Sequence, residues 1–130
     1  MKYLIDTDWT IHYLNGKQSI VDQLIALRKE GLAISVISLA EVYEGVYYSR
    51  EPKSSQEGLN NFLKLVSVLQ DSDEIAKIFG KVRGGLRKKG ELIDDFDLMI
   101  ASTAIHYNLT ILTNNRKHFE RVEGLKIISN

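Results

Sequence analysis

Three acidic residues, Asp6, Glu41 and Asp97, occupy positions from which their carboxylates are able to act together. Asp6 ends a short hydrophobic run, Glu41 follows a second such run, and Asp97 lies in a segment that is otherwise apolar. Carboxylates that meet in one site repel one another unless a cation lies among them. A site made only of oxygen ligands, with coordination positions left open, suits a hard ion such as Mg²⁺ or Mn²⁺.

The chemistry that fits such a site is metal-assisted hydrolysis of a phosphodiester. A bound Mg²⁺ lowers the pKa of water and neutralises the charge that builds up on the phosphate in the transition state. We expect Asp6 and Asp97 to contact the ion directly. Glu41 is expected to bind it through water or to orient the attacking water.

The three residues are brought together only by tertiary structure, and the sequence predicts an α/β fold from its alternation of β-branched runs and helix-period segments. Predicted strands cover residues 2–6, 33–37, 66–69, 110–113 and 126–128. Predicted helices cover about 8–14, 38–49 and 95–107, and hydrophobic spacing marks others at 20–27, 59–66 and 75–86. Gly31 is expected to stop the second helix and Pro52 to end the third. We therefore expect one domain, residues 1–130, with a mostly parallel central sheet flanked by helices.

This fold places the acidic residues at one edge of the sheet. Open α/β sheets bind ligands in the crevice outside the carboxyl ends of their strands. Asp6 ends the first predicted strand, and Glu41 emerges shortly after the second. Asp97 lies on the inward stripe of a helix that is apolar on nearly every side, where a carboxylate is costly unless it is paired, protonated or bound to metal.

Each acidic position also has a purely structural interpretation. Asp6 at a strand-to-helix turn would cap the helix that follows it. Glu41 would complete a capping box in which Ser38 caps the helix. Asp94 and Asp95 are best explained as N-terminal caps that favour the helix dipole.

The composition narrows the classes of function. The chain has no cysteine, which excludes a disulfide framework and thiolate-bound zinc or iron–sulfur clusters. Its 17 basic and 17 acidic residues cancel, so no bulk positive field attracts nucleic acid and function must reside in local clusters. The apolar stretch 32–40 is too short to cross a membrane, and the N-terminus turns acidic before a signal sequence could form. We expect a cytoplasmic protein that makes no use of a membrane.

The residues around these positions resemble the PIN-domain family, and more closely its VapC-type toxin ribonucleases from toxin–antitoxin pairs. The matching segments are Leu4-Ile5-Asp6-Thr7, 37–45, Arg83-x-x-Leu86 before Gly90, 97–104, 112–119 and Val122-x-Gly124-Leu125. Together they extend over essentially the whole chain. The resemblance implies a PIN-like three-layer fold, an endoribonuclease activity and a cognate antitoxin as partner.

By this resemblance Asp6, Glu41 and Asp97 match the acidic metal-binding positions of the family, with Thr7 and Thr113 beside them. Many PIN domains carry a fourth acidic residue where this chain has Asn115, so the site has one negative charge fewer. We expect one tightly held Mg²⁺, with Mn²⁺ as an alternative, and an outer shell held by Asn115 and Thr113. Because water is the nucleophile, the expected products carry a 5′-phosphate and a 3′-hydroxyl.

Contacts to the RNA are expected from a run of cations on the fifth predicted helix. The candidates are Lys81, Arg83, Arg87, Lys88 and Lys89, preceded by Lys77. The alternative is a solvated helix face whose cations are favoured by the helix dipole. Binding that weakens steeply with salt would distinguish a phosphate-binding surface from that alternative.

The three histidines, His12, His106 and His118, show no metal-ligand spacing and are expected to be surface or packing residues. Only His118 is close enough in sequence to Asn115 for a role at the site to stay open.

The aromatic residues of the early helices are numerous for a small core. They are Trp9, Tyr13, Tyr43, Tyr47 and Tyr48. Most are expected in the core. Others are expected to line the groove that, in VapC-like proteins, receives the C-terminal segment of the antitoxin, or to form the contact of a homodimer.

Two other functions compete with this interpretation. A receiver-type signalling domain also has α/β alternation and an acidic Mg²⁺ pocket, but it requires an acceptor Asp at a mid-sheet strand end and a Lys on a late strand. The second predicted strand leads into Ser38, and the late strand 110–113 has no lysine. A catalytically inactive PIN module is the second alternative, and Asn115 keeps it open.

Overall fold

The computed structural model describes all 130 residues, and its strands and helices alternate along the chain. The strands are β1 (Tyr3–Ile5), β2 (Leu32–Ser35), β3 (Ser67–Leu69), β4 (Thr110–Leu112) and β5 (Ile127–Ile128). The helices are α1 (Thr7–Leu14), α2 (Gln18–Leu27), α3 (Val36–Tyr47), α4 (Pro52–Leu63), α5 (Asp73–Lys89), α6 (Asp95–Tyr107) and α7 (Arg116–Phe119). None of these helices has the length and apolar character needed to span a membrane.

The five strands form one sheet in the order β3-β2-β1-β4-β5, and every neighbouring pair is parallel. In the centre, Leu4 is in register with Ala33 of β2 and with Ile111 of β4. Strands β2 and β3 lie on one side of β1, and β4 and β5 lie on the other. The boundary between β1 and β4 is therefore the topological switch point, where the ligand crevice of such sheets opens.

Two hydrophobic cores hold the helices against the two faces of this sheet. Side chains alternate along a strand, so Leu4 of β1 belongs to one core and Ile5 to the other. The Leu4 core contains Leu86 of α5 and the buried apolar side chains of α6, and the Ile5 core contains those of α1 to α4. This three-layer arrangement confirms the predicted fold class.

The element boundaries follow local signals. Gly31 ends the segment after α2 with φ of 93°, a conformation that glycine adopts without strain, as predicted. Gly90 ends α5 in the left-handed region in the same way.

The helices differ from the sequence-based expectations in several places, among them the start of α3, which is Val36 rather than Ser38. Pro52 does not end α3, which stops at Tyr47; it is the first residue of α4, where its missing N–H costs no hydrogen bond. The short helix α7 was not predicted, because four residues are too few to show a hydrophobic period.

Candidate active site

Asp6 follows β1 directly and is buried at the switch point of the sheet, with 3% of its surface exposed. Its Oδ1 accepts a hydrogen bond from the Thr7 backbone N–H at 2.8 Å, which caps α1, and its Oδ2 accepts one from the Thr113 hydroxyl at 2.7 Å. Burial, together with the charges of Asp8 and Asp97, raises the pKa of Asp6 to about 7, although the hydrogen bonds from Thr113 and Thr7 act to lower it. Asp6 is therefore both a helix cap and a buried carboxylate without a cation beside it.

Glu41 lies on α3, and its carboxylate does not take part in the capping box expected from the sequence. Ser35, rather than Ser38, is the cap of α3, and its hydroxyl accepts from the Ser38 N–H at 3.1 Å. Because the helix begins at Val36, two residues earlier than expected, Glu41 lies in its second turn. Its Oε1 accepts a hydrogen bond from the Thr7 hydroxyl at 2.7 Å. Burial and then the charge of Asp97 raise the pKa of Glu41, against the hydrogen bond from Thr7.

Asp97 lies in the first turn of α6, with 17% of its side chain exposed. Its Oδ2 is 3.2 Å from Asn115 Nδ2 and 2.8 Å from His118 Nδ1. Burial raises the pKa of Asp97, as does the charge of Asp94, while the hydrogen bond from His118 lowers it. Asp97 shares a stripe of α6 with the buried residues Ile100, Ala101 and Ala104, and its carboxylate contacts Asn115 and His118.

A continuous set of hydrogen bonds joins the three carboxylates across the sheet edge. Thr7 contacts both Glu41 and Asp6, and Thr113 contacts Asp6. The Asn115 backbone N–H donates to the Thr113 hydroxyl at 3.0 Å, and the Asn115 amide donates to Asp97. Elements that are far apart in sequence, α1, α3, α6 and the segment after β4, are thereby held around one crevice.

Three further residues at this edge were not identified as site residues from the sequence. Asp8 accepts the Asn114 N–H at 3.0 Å, and its charge raises the pKa of Asp6. Asp94 caps α6, as expected, but its charge also raises the pKa of Glu41 and of Asp97. Their spacing in the sequence could have indicated both, because Asp8 lies two residues after Asp6 and Asp94 lies three residues before Asp97. His118 had only its proximity to Asn115 to indicate a role.

The crevice offers carboxylate oxygens as possible ligands for a divalent ion. With the side chains in these positions, no three His, Asp or Glu residues form a group that would hold a metal ion. Mg²⁺, however, is commonly bound by one or two carboxylates, with water and substrate phosphate completing its octahedron. Asp6, Glu41 and Asp97 supply oxygen ligands only, and no Lys or Arg forms a salt bridge with any of them. This excess of negative charge fits a hard cation held in that manner.

The predicted RNA-binding cations lie on α5, which packs against α6 through Leu86 and its neighbours in the Leu4 core. Arg83 is engaged in an ion pair with Asp95 on α6, with Nε 2.9 Å from Oδ1. The other four cations are exposed and make no salt bridge: Lys81, Arg87, Lys88 and Lys89. The surface on α5 is thus formed by these four residues, while Arg83 joins α5 to the first turn of α6.

The aromatic residues divide between core and surface. Trp9 is fully buried, and its indole N–H donates to Asn114 Oδ1 at 2.9 Å, behind the crevice. Tyr13 packs on Phe62. Tyr47 and Tyr48 are 64% and 88% exposed at the end of α3.

A cavity of about 300 Å³ lies between α1, α3 and α4. Its walls include Ile11, Leu14, Val42 and Val46. Gly45, one turn after Glu41 on α3, also lines it, so the cavity begins near the acidic crevice.

A parallel sheet with clustered carboxylates at its switch point defines the class of protein as an α/β domain with an acidic edge. Comparison with known proteins identifies the family within this class. The profile of the PIN domain family matches residues 3–125. The chain is 36% identical over 127 residues to Ribonuclease VapC2 of Rickettsia felis, covering 96% of this chain and 95% of that protein. It is 38% identical over 128 residues to Ribonuclease VapC1 of Methanocaldococcus jannaschii, covering 97% of this chain and 86% of that protein.

Solved structures agree. A crystal structure of VapBC2 from Rickettsia felis, bound to a DNA fragment from their promoter, contains a chain with a TM-score of 0.94 and 34% identity. The alignment covers 100% of this chain and 99% of that one. A DNA-bound VapBC from Salmonella typhimurium gives a TM-score of 0.92 at 28% identity, covering 99% and 98% of the two chains. The chain therefore belongs to the PIN-domain family and, within it, to the VapC-type nucleases. The resemblance identified from sequence is confirmed, and the receiver-type alternative is excluded.

Proposed function

We propose that the protein is a Mg²⁺-dependent endoribonuclease that acts as the toxin of a toxin–antitoxin pair. The observation that carries this proposal is the hydrogen-bonded set from Glu41 through Thr7, Asp6, Thr113 and Asn115 to Asp97. It holds three carboxylates at one edge with no balancing cation. The names of the relatives, which are ribonucleases, support RNA as the substrate. Such a protein would act in the cytoplasm, where RNA is found.

The arrangement of side chains suggests a separate role for each carboxylate. Asp6 is held on both oxygens, by the Thr7 N–H and the Thr113 hydroxyl, so its orientation is the most restricted of the three. We assign Asp6 and Asp97 as direct ligands of Mg²⁺, or of Mn²⁺. Glu41 is longer, is bound through one oxygen only and keeps its other oxygen for water. Thr113 and Asn115 orient the ligands from behind.

Hydrolysis then follows from the charge of the crevice. When bound, Mg²⁺ supplies neutralisation of the phosphate charge and a lower pKa for water. Glu41 orients the attacking water and accepts a proton from it, which its raised pKa favours. Because water is the nucleophile, the RNA 2′-hydroxyl is not consumed. The water oxygen bonds to phosphorus, the P–O3′ bond breaks, and the leaving 3′ oxygen takes a proton from solvent, so the products carry a 5′-phosphate and a 3′-hydroxyl.

The exposed cations of α5 are proposed to hold the RNA backbone. Lys81, Arg87, Lys88 and Lys89 are not neutralised by acidic partners, which leaves them free to contact phosphates. Arg83 is proposed to act differently, because its ion pair with Asp95 joins α5 to the turn that carries Asp97. Since α5 packs on α6, RNA bound along α5 would run toward the crevice.

An antitoxin is the proposed protein partner. Related chains are crystallised as VapBC complexes, which supports a partner of this type. The apolar cavity between α1, α3 and α4 begins one turn from Glu41, so a partner segment seated there would lie beside the acidic crevice. A homodimer is also proposed, with the exposed Tyr47 and Tyr48 as its candidate contact.

The experiment that tests the nuclease is cleavage of a panel of structured and single-stranded RNAs by the purified protein, with Mg²⁺ or with EDTA. Asp97→Asn is compared with Asp71→Asn, whose carboxylate is exposed and lies outside the crevice. We expect cleavage by the wild type and by Asp71→Asn in Mg²⁺, and loss of at least 100-fold in Asp97→Asn and in EDTA. Equal cleavage by Asp97→Asn or in EDTA would reject the mechanism. Failure of the wild type to cut any RNA in Mg²⁺ would favour the inactive binding module.

A further inference from the structure

His118 makes a contact that the mechanism above does not use. Its Nδ1 lies 2.8 Å from Asp97 Oδ2, and Asn115 Nδ2 lies 3.2 Å from the same oxygen. The two nitrogens are 3.1 Å apart, so the three atoms form a nearly equilateral triangle. The other oxygen of Asp97, Oδ1, accepts no hydrogen bond from the protein.

The hydrogen positions in this triangle follow from the chemistry of the groups. The Asn115 amide nitrogen only donates, and an ionised carboxylate only accepts. If His118 Nδ1 accepted the amide hydrogen, its lone pair would face a carboxylate oxygen at 2.8 Å with no hydrogen between them. Both nitrogens therefore donate to Asp97 Oδ2.

We propose that His118 is a positioning residue that, together with Asn115, clamps Asp97 Oδ2 and leaves Oδ1 as the oxygen that binds a divalent cation. The inference rests on the proposed function, because it assigns a metal to Asp97. Two donors occupy both lone pairs of Asp97 Oδ2, so Asp97 binds through Oδ1 as a monodentate ligand, and more coordination positions stay open for water and phosphate. Each oxygen of Asp6 accepts only one hydrogen bond and keeps a lone pair for the ion. Neither donor is an anion, so the clamp orients the ligand without adding negative charge to the site.

Its position in the fold makes His118 suited to this role. It lies on α7, directly before Phe119, whose fully buried side chain anchors the helix in the Leu4 core. The imidazole ring is consequently held between a rigid helix and the first turn of α6. Its side chain is 36% exposed, so the ring can be changed without opening a cavity in the core.

A matched set of variants separates this role from simple packing. His118→Leu removes both ring nitrogens, whereas His118→Asn places an amide nitrogen close to the position of Nδ1. His106→Leu is the control, since His106 is exposed and packs only on its neighbour Tyr107. MnCl₂ is titrated into each metal-free protein, and free Mn²⁺ is measured by electron paramagnetic resonance.

We expect His118→Leu to weaken Mn²⁺ binding roughly 10- to 100-fold, the usual effect of losing a hydrogen bond to a metal ligand. His118→Asn should recover most of that loss, and His106→Leu should bind as the wild type does. Wild-type affinity in His118→Leu, or no recovery in His118→Asn, would overturn the clamp.

A second measurement needs neither metal nor activity. Long-range ¹H–¹⁵N spectra of the metal-free protein report which nitrogen of neutral His118 carries the hydrogen, and we expect Nδ1. A hydrogen on Nε2 would overturn the clamp even if RNA is cleaved, and the proposed function would stand. If the protein binds Mn²⁺ and carries the hydrogen on Nδ1 but cuts no RNA, the proposed ribonuclease activity is refuted and the clamp is supported. A wild-type protein that binds no Mn²⁺ would overturn both.

Discussion

Replacing Asp6 by Asn is expected to stabilise the metal-free protein, and to do so more strongly as pH rises. Asn has the shape of a protonated aspartic acid but never ionises. The pKa of Asp6 rises from 3.8 to about 7 on folding, because burial and the neighbouring carboxylates disfavour its charge. Between these two values the folded chain holds a proton that the unfolded chain has released, so the free energy of unfolding of the wild type falls as pH rises.

The magnitude follows from the same two values. One pKa unit corresponds to about 1.36 kcal/mol, so the free energy of unfolding of the wild type falls by at most about 4 kcal/mol up to pH 8. About 1 kcal/mol of this decrease has already occurred at pH 4.5. The stability advantage of Asp6→Asn should therefore grow by about 2–3 kcal/mol between pH 4.5 and pH 8. Saturating Mg²⁺ should reduce the difference at pH 8, since only the wild type gains from binding it.

Urea denaturation followed by circular dichroism, in EDTA at the two pH values, measures this difference. Asp71→Asn is the control for the loss of one negative charge, and its stability relative to the wild type should change little with pH. An advantage of Asp6→Asn that stays constant or shrinks from pH 4.5 to pH 8 would refute the view that Asp6 is an uncompensated buried carboxylate.

Three other changes test separate parts of the structure. Thr113→Val keeps the side-chain shape but removes the hydroxyl that donates to Asp6 Oδ2, so the pKa of Asp6 should rise further. RNA cleavage at neutral pH should then fall about 10-fold, as measured by initial rates across pH. The double variant Lys88→Ala and Lys89→Ala should weaken RNA binding, as measured by fluorescence anisotropy. The slope of log affinity against log salt concentration should become about 1 to 2 less steep, and an unchanged slope would show that these residues of α5 do not contact RNA. Gly31→Ala should cost about 1–3 kcal/mol in urea denaturation, because φ is 93° and a Cβ would lie 2.7 Å from the Met1 Cα; a wild-type midpoint would contradict this.

Much of the fold could be predicted because its signals are local. The strands 3–5 and 110–112 are short, mostly apolar runs. Helix α6 was predicted with both boundaries correct; Asp94 caps it, and Asn108 ends it in the left-handed region. The start of α3 was misplaced, since Ser35 and Ser38 both suit a cap, and only the length of β2 decides between them. Sequence pattern does not contain that information.

The site was predictable to a more limited degree. Asp6, Glu41 and Asp97 were identified because each follows a strand or interrupts an apolar helix face. Their partners depend on which side chains meet across the sheet edge, and this is decided by packing. Thr7 joins Asp6 to Glu41, and His118 reaches Asp97 from a helix too short to predict.

The most direct test of the metal site is a crystal of the wild-type protein soaked in MnCl₂, with data collected at the manganese absorption edge. We expect one anomalous peak at the carboxyl edge of the sheet, about 2.0–2.3 Å from Asp6 and from Asp97 Oδ1, with Glu41 reached directly or through water. No peak there, or a peak bound only to other carboxylates of the chain, would contradict it.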